Sequence, residues 1–352
     1  MGLAEQAQRL DDAANVLPHE LKLLVCSLPQ QTKSNIREIR LRCARPFAVN
    51  LSNQDVFLTR TGQLIATESQ DVVCITPSEI DECFKRLCDY SVYSHQNEMI
   101  SGFITVKNGH RAGLCGSAVV ENGKVNGVRG ISSINLRVAR QIFGVADAIM
   151  NQVLCNQMGG VLICGVPGSG KTTLVRDVVR QLSLRGLRVS VVDERGEIAA
   201  VYCGQAGNDL GPRCDVLDGY PKGEGILIAV RCLAPDVVVC DEIGGEQEAE
   251  ALLTGINCGV SVIATVHAAD KDELLRKKQV MRLITAGAFR HIVFLHDAQS
   301  PCSIREVVRA DELYPKGRGI GVHCGNLYSG RAYVASSIDR PRGLSGASGC
   351  DA

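Results

Sequence analysis

The strongest constraint on the fold is a short run near the middle of the chain. Gly165-Val166-Pro167-Gly168-Ser169-Gly170-Lys171-Thr172 matches G-x-x-x-x-G-K-[ST] in full, and Thr173 follows it. The run stands between the apolar segment Val161 to Cys164 and a stretch in which Leu174, Val175, Val178, Val179 and Leu182 share one helical face. A strand that ends in a glycine-rich loop and continues as a helix turns successive backbone N–H groups toward one point, where the helix N-terminus adds positive potential. Phosphate oxygens fit that point, so residues 165–173 are expected to bind a nucleotide, with Lys171 on the β- and γ-phosphates and the Thr172 hydroxyl on Mg²⁺. The apolar runs that accompany it, Val189 to Val192, Val237 to Cys240, Val260 to Thr265 and His291 to Leu295, read as buried strands with helices between them. A parallel α/β sheet follows from that rhythm.

A second acidic position decides what a phosphate loop does. Val237-Val238-Val239-Cys240-Asp241-Glu242 is an apolar strand that ends in two carboxylates. Asp241 is suited to the magnesium shell and Glu242 to polarising an attacking water. No Asn-Lys-x-Asp run is present to read a guanine base, so ATP is the expected nucleotide. Two more polar positions follow strand-like runs: Asp193-Glu194-Arg195 and His267. Residues at the carboxyl ends of parallel strands face the ligand crevice. Glu194 is suited either to a second base or to a surface ion pair, and His267 either to a γ-phosphate contact or to a structural role.

The first part of the chain has a different texture. Thr76-Pro77-Ser78-Glu79 is a helix start, with a capping hydroxyl, a proline in the first turn and a glutamate that reaches back to the cap. Phe103 to Val106, Ala118 to Val120 and Ile131 to Leu136 read as strands, separated by Asn108-Gly109, Asn122-Gly123 and Asn126-Gly127, which suit tight turns. We therefore expect an α+β domain over 1–150, a P-loop domain over 151–310, and a flexible Gly- and Ser-rich tail over 311–352. Lys and Arg together number 38, as do Asp and Glu, so no net charge draws the chain to nucleic acid or anionic lipid. No apolar run approaches the ~20 residues that span a bilayer, and Met1 to Asn15 does not read as a leader. The 16 cysteines are scattered, with no Cys-x-x-Cys pair. Buried free thiols in a reducing cytosol are the expectation, with Cys164, Cys240 and Cys258 in or beside apolar runs.

The P-loop, the segment Asp193-Glu194-Arg195-Gly196-Glu197-Ile198, Pro235-Asp236 before Asp241-Glu242-Ile243-Gly244, and Gly259 to His267 resemble, in that order, the secretion-type ATPases of type II secretion and type IV pili. Glu38-Ile39-Arg40-Leu41-Arg42, Tyr93-Ser94, Gly102-Phe103-Ile104-Thr105, His110-Arg111-Ala112-Gly113 and Ile131 to Arg137 are similar to one branch of that family, the stage III sporulation AA proteins. The resemblance implies a RecA-like motor that forms a homo-oligomer, a hexamer, and hydrolyses ATP to power a membrane channel between mother cell and forespore. It implies cytoplasmic placement, held at the mother-cell membrane by integral partners. Glu194 would lie in an acidic box, His267 in a histidine box, and arginines of the N-terminal domain would reach a nucleotide, often across a subunit boundary. Arg111 and Arg137 are the candidates. Arg40 and Arg42, at alternate positions, are suited to a partner's carboxylates. Gly244-Gly245-Glu246 departs from the family's Arg-Asp-x-Glu.

Two other classes remain open. One is an ATPase acting on single-stranded nucleic acid. Related chloroplast and bacterial proteins join a similar motor to a small single-strand-binding domain marked by Arg-x-x-x-His, and by that resemblance the tail offers only Arg318 and His323, one residue too far apart. Neutral charge disfavours that partner as well. A scaffold that binds nucleotide without hydrolysis would lack the carboxylates that Asp241 and Glu242 supply.

Overall fold

The computed structural model describes residues 2–51, 54–100, 102–154 and 159–313. The expected tail falls, from 314 on, outside the described residues, while Ala310–Leu313 is a short 3-10 turn. The described residues pack as one compact unit built on two large sheets, each with its own core.

The first sheet holds β1 (Ile36–Arg42), β2 (Ala48–Leu51), β3 (Gln54–Leu58), β4 (Leu64–Ile65), β5 (Phe103–Val106), β6 (His110–Glu121) and β7 (Lys124–Arg137). Their order is β4-β3-β2-β1-β7-β6-β5, antiparallel throughout. Helix Pro77–Leu87 starts as its sequence dictates: Thr76 accepts from the Glu79 N–H, and Glu79 accepts from the Thr76 N–H at 2.7 Å. Its Ile80, Cys83 and Leu87 enter the core beside Ile39, Leu41 and Phe47.

Two of the three expected turns form. Asn122 and Gly123 take φ of 53° and 77°, closing a two-residue hairpin in which Glu121 faces Lys124. Asn108 and Gly109 also take positive φ, 63° and 76°, in the three-residue turn Lys107–Gly109 between β5 and β6. Asn126-Gly127 is no turn: it runs on inside β7 with Gly127 opposite Val119. The Asn122-Gly123 turn has already reversed the chain, and Asn126 spends its amide on Glu121 at 2.8 Å. The three short strands expected there are thus one short strand and two long ones.

The second sheet holds β8 (Val161–Cys164), β9 (Val189–Asp193), β12 (Cys214–Asp218), β13 (Val237–Cys240), β14 (Ser261–Val266), β15 (His291–Leu295) and β16 (Ile304–Arg309). A small ribbon of β10 (Val201–Tyr202) and β11 (Gln205–Ala206) stands apart. The order is β12-β9-β13-β14-β8-β15-β16, parallel except at the β15–β16 edge. This is the RecA-like order: the strand carrying Asp241 is separated from the P-loop strand by β14. Every residue of β8, β9, β13 and β14 is buried, as helices on both faces require. Cys164 and Cys240 are buried with them, whereas Cys258 is exposed because it caps helix Glu246–Asn257, ahead of the strand.

The two sheets meet at a tight junction. Arg9, on helix Leu3–Ala13, donates to the carbonyls of Asn108 (2.7 Å) and Gly207 (3.2 Å). A Cβ on Gly207 would sit 2.5 Å from the Gly109 nitrogen, so the approach demands glycine. His110, fully buried at this junction, accepts from the Ala139 N–H through Nδ1 at 3.0 Å. Burial first, then the nearby Arg9 cation, push its pKa down to about 4 against the opposing pull of Asp12.

Candidate nucleotide site

β8 delivers Gly165 to the loop, and the loop closes at Gly170, whose φ of 86° starts helix Lys171–Leu184. A Cβ at Gly170 would also lie 2.5 Å from the Cys302 Sγ, so hand and space both require glycine there. The helix buries Leu174, Val175, Val178, Val179 and Leu182, the stripe read from sequence. Lys171 is buried, and its Nζ donates to the Gly165 carbonyl at 2.9 Å and the Val166 carbonyl at 3.1 Å. Burial lowers its pKa, and the carboxylates of Asp241 and Glu242 resist that shift.

Asp241 and Glu242 emerge from β13 directly opposite. The Thr172 hydroxyl donates to Asp241 Oδ2 at 2.8 Å, which brings both expected magnesium ligands together. A hydroxyl and a carboxylate side by side are the hard oxygen donors that Mg²⁺ takes. Thr265, fully buried in β14, donates to Asp241 Oδ1 at 2.5 Å and accepts from the Glu242 N–H at 2.8 Å. Glu242 itself adopts φ of 40°, a conformation that a residue with a Cβ enters only under constraint.

His267 stands between lysine and glutamate. Its Nδ1 is 3.0 Å from Lys171 Nζ, and an ammonium only donates, so Nδ1 accepts and the ring proton sits on Nε2. Nε2 is 3.4 Å from Glu242 Oε1, while the other Glu242 oxygen is 3.3 Å from Arg195 Nη1. Lys171, His267, Glu242 and Arg195 thus form one polar row beside Thr172 and Asp241. Glu194 lies at its end, 39% exposed and 3.6 Å from Lys222 Nζ. A cavity of about 400 Å³ opens at the Glu242–His267 end of this row, away from the P-loop, bordered by Glu194, Lys222, Glu242, His267 and Lys277.

The loop carrying Glu194 and Arg195 is held from behind. Asp193, buried, accepts from the N–H groups of Glu197, Ile198 and Ala199 at 2.7–3.0 Å. Arg176, on the P-loop helix, donates to the carbonyls of Glu197 (2.8 Å), Ile198 (3.1 Å) and Arg140 (3.5 Å). Arg111 and Arg137 face each other across β6 and β7. Arg111 donates to the Arg195 carbonyl at 2.7 Å and stacks over Phe103. Arg137 is 68% exposed, its Nε 3.6 Å from Glu38. Arg40 pairs with Glu38 at 2.8 Å.

Three residues of this constellation have no place in the motif reading: Thr265, Arg176 and Lys222. Thr265 carried a signal, a hydroxyl among the apolar residues at the carboxyl end of β14, two residues before His267. Arg176 and Lys222 had none, since each meets its partners across 20 residues or more.

Comparison with known proteins matches the family model "Sporulation stage III, protein AA" over residues 7–312. The stage III sporulation protein AA of Bacillus subtilis (strain 168) is 34% identical over 308 residues, covering 86% of this chain and 96% of that protein. An uncharacterized protein ycf45 of Cyanidium caldarium is 28% identical over 156 residues, 44% of this chain and 46% of its own length. The ATPase DotB of Legionella pneumophila superposes with a TM-score of 0.49 at 15% identity, covering 84% of this chain and 76% of DotB. The chain belongs to the sporulation stage III protein AA family.

Proposed function

We propose that this member of the family is an ATP-hydrolysing motor of the secretion type, driving a membrane-associated channel from mother cell to forespore during endospore formation. The observation that carries the reading is the meeting of Thr172 and Asp241 at 2.8 Å with Glu242 and His267 beside Lys171. A scaffold that only binds nucleotide has no use for that second half. Thr172 and Asp241 would hold Mg²⁺, which when bound spreads the negative charge of the transferring phosphoryl group. Residues 165–173 bind the phosphates, and Lys171 leaves its loop carbonyls for the β- and γ-oxygens. Glu242 orients water and takes its proton as the oxygen attacks the γ-phosphorus, while the bond to the β,γ-bridging oxygen breaks and ADP leaves with that oxygen. His267, with its proton on Nε2, links Lys171 to Glu242 and so ties the phosphate contact to the base. Glu194, partnered with Lys222 rather than with the His267–Lys171 pair, is the subordinate carboxylate.

Arginine action across a subunit boundary belongs to the same proposal. Arg111 is committed to the Arg195 carbonyl within its own chain, so the exposed Arg137 is the better donor to a neighbour's nucleotide in a ring of six. No helix among the described residues is long and apolar enough to cross a membrane. Integral partners would then hold the motor at the mother-cell membrane. The test is ATP hydrolysis and mass of the purified protein, with and without single-stranded DNA. Mg²⁺-dependent turnover that rises with assembly and ignores DNA is expected. Turnover that needs DNA, or none in any state, would overturn the reading.

A further inference from the structure

Lysine is rarely buried without a specific partner, and Lys222 is only 7% exposed. It begins helix Lys222–Ile228, after Pro221, and sends its ammonium back under the end of β13. There Nζ donates to the Glu242 carbonyl at 2.8 Å and lies 3.6 Å from Glu194 Oε2. One cation therefore touches both acidic segments of the proposed hydrolytic centre, through a backbone oxygen in one and a carboxylate in the other.

The contact matters because of the conformation it holds. Glu242 has φ of 40°, and a β-carbon crowds the backbone in that region, so the conformation persists only where neighbours dictate it. On the amide side Thr265 Oγ1 and Asp241 Oδ1 accept from the Glu242 N–H at 2.8 and 3.0 Å. On the carbonyl side the grip is Lys222. With both peptide groups pinned, the Glu242 side chain is aimed between Arg195 and His267. Released at the carbonyl, the residue relaxes toward ordinary φ and swings its carboxylate out of that row.

We propose that Lys222 is the positioning residue of the hydrolytic centre, fixing the Glu242 backbone and holding Glu194 beside it. The inference rests on the ATPase reading above. Lys222 also lines the cavity of about 400 Å³ shared with Glu242 and His267, which leaves room for a small amine when the side chain is shortened.

The experiment compares wild type, Lys222→Met and Lys222→Ala. Wild-type Mg²⁺-ATP turnover is measured first, and its absence sinks the ATPase reading itself. Given turnover, Lys222→Met should lose on the order of 10²-fold in kcat, as misplacement by about 1 Å does, with KM and the dissociation constant of a fluorescent ATP analogue unchanged. Ethylammonium or propylammonium should restore Lys222→Ala about tenfold by returning the donor to its place, while tetramethylammonium, which has no N–H, should not. Near-wild-type kcat in Lys222→Met overturns the inference alone. So does a loss that follows nucleotide affinity, an absence of amine rescue, or unfolding of both variants, which would assign Lys222 to the fold only.

Discussion

Replacing Thr265 by valine keeps the shape of a β14 side chain and removes one hydroxyl. That hydroxyl donates to Asp241 Oδ1 at 2.5 Å and accepts from the Glu242 N–H at 2.8 Å, in a position fully closed to solvent. A hydrogen bond to an ionised carboxylate is worth about 1.5–3 kcal/mol and a neutral one about 0.5–1.5. The Glu242 N–H keeps its 3.0 Å bond to Asp241 Oδ1, so the second loss sits at the low end and the total is about 2–3.5 kcal/mol. The chain has no tryptophan, so urea unfolding is best followed by far-ultraviolet circular dichroism. Thr265→Ser keeps the hydroxyl and should lose under about 1.5 kcal/mol, from one methyl group. In turnover Thr265→Val should fall 10- to 100-fold, about 1.4–2.7 kcal/mol of barrier, with nucleotide affinity intact because the P-loop is untouched. If valine matches wild type in stability and kcat while serine does not, the hydroxyl bridge is irrelevant and the reasoning fails.

Other outcomes follow from the same geometry. Glu242→Gln should retain nucleotide and slow hydrolysis by about 10²–10⁴-fold, whereas Glu194→Gln should be milder; the reverse order in single-turnover rates would exchange their roles. Lys171→Ala, or removal of Mg²⁺ by chelation, should abolish turnover, and persistence of either activity would reject the site. His110 is neutral when folded, with its pKa pushed to about 4 from the ordinary 6.5. The unfolded chain therefore gains a proton first as pH falls, and about 3 kcal/mol of stability present above pH 6.5 is lost on the way to pH 4. Comparing urea midpoints of wild type and His110→Gln across that window should show the difference shrinking as pH falls; a constant gap would contradict the buried neutral imidazole.

The sequence was most readable where the physics is local. The P-loop, its helix stripe and the strand before Asp241 are each a contiguous pattern, and they stand where the pattern put them. β12 and β16 escaped notice because Cys214-Asp215-Val216-Leu217-Asp218 and Ile304 to Arg309 lie at the sheet's edges, where charges alternate with apolar residues. The Asn126-Gly127 error has a similar root: a dipeptide able to turn does so only where the chain still needs reversing. Lys222 and Arg176 were unreadable for the opposite reason. Their meaning lies in backbone carbonyls supplied by distant segments, and any sequence supplies carbonyls.

Arg176 gives the phosphate-gripping helix a mechanical attachment outside the sheet. Its guanidinium lashes that helix to the 197–198 loop and to the Arg140 carbonyl, while the Arg140 side chain is in turn tied to the Ile36 carbonyl of β1 at 2.7 Å. A load path thus runs from the P-loop helix to the first strand of the N-terminal sheet through two side chains, without crossing the parallel ladder. On the proposed reading as an ATP-driven motor, a shift of the P-loop helix would pull on β1 through this tether rather than through the parallel strands.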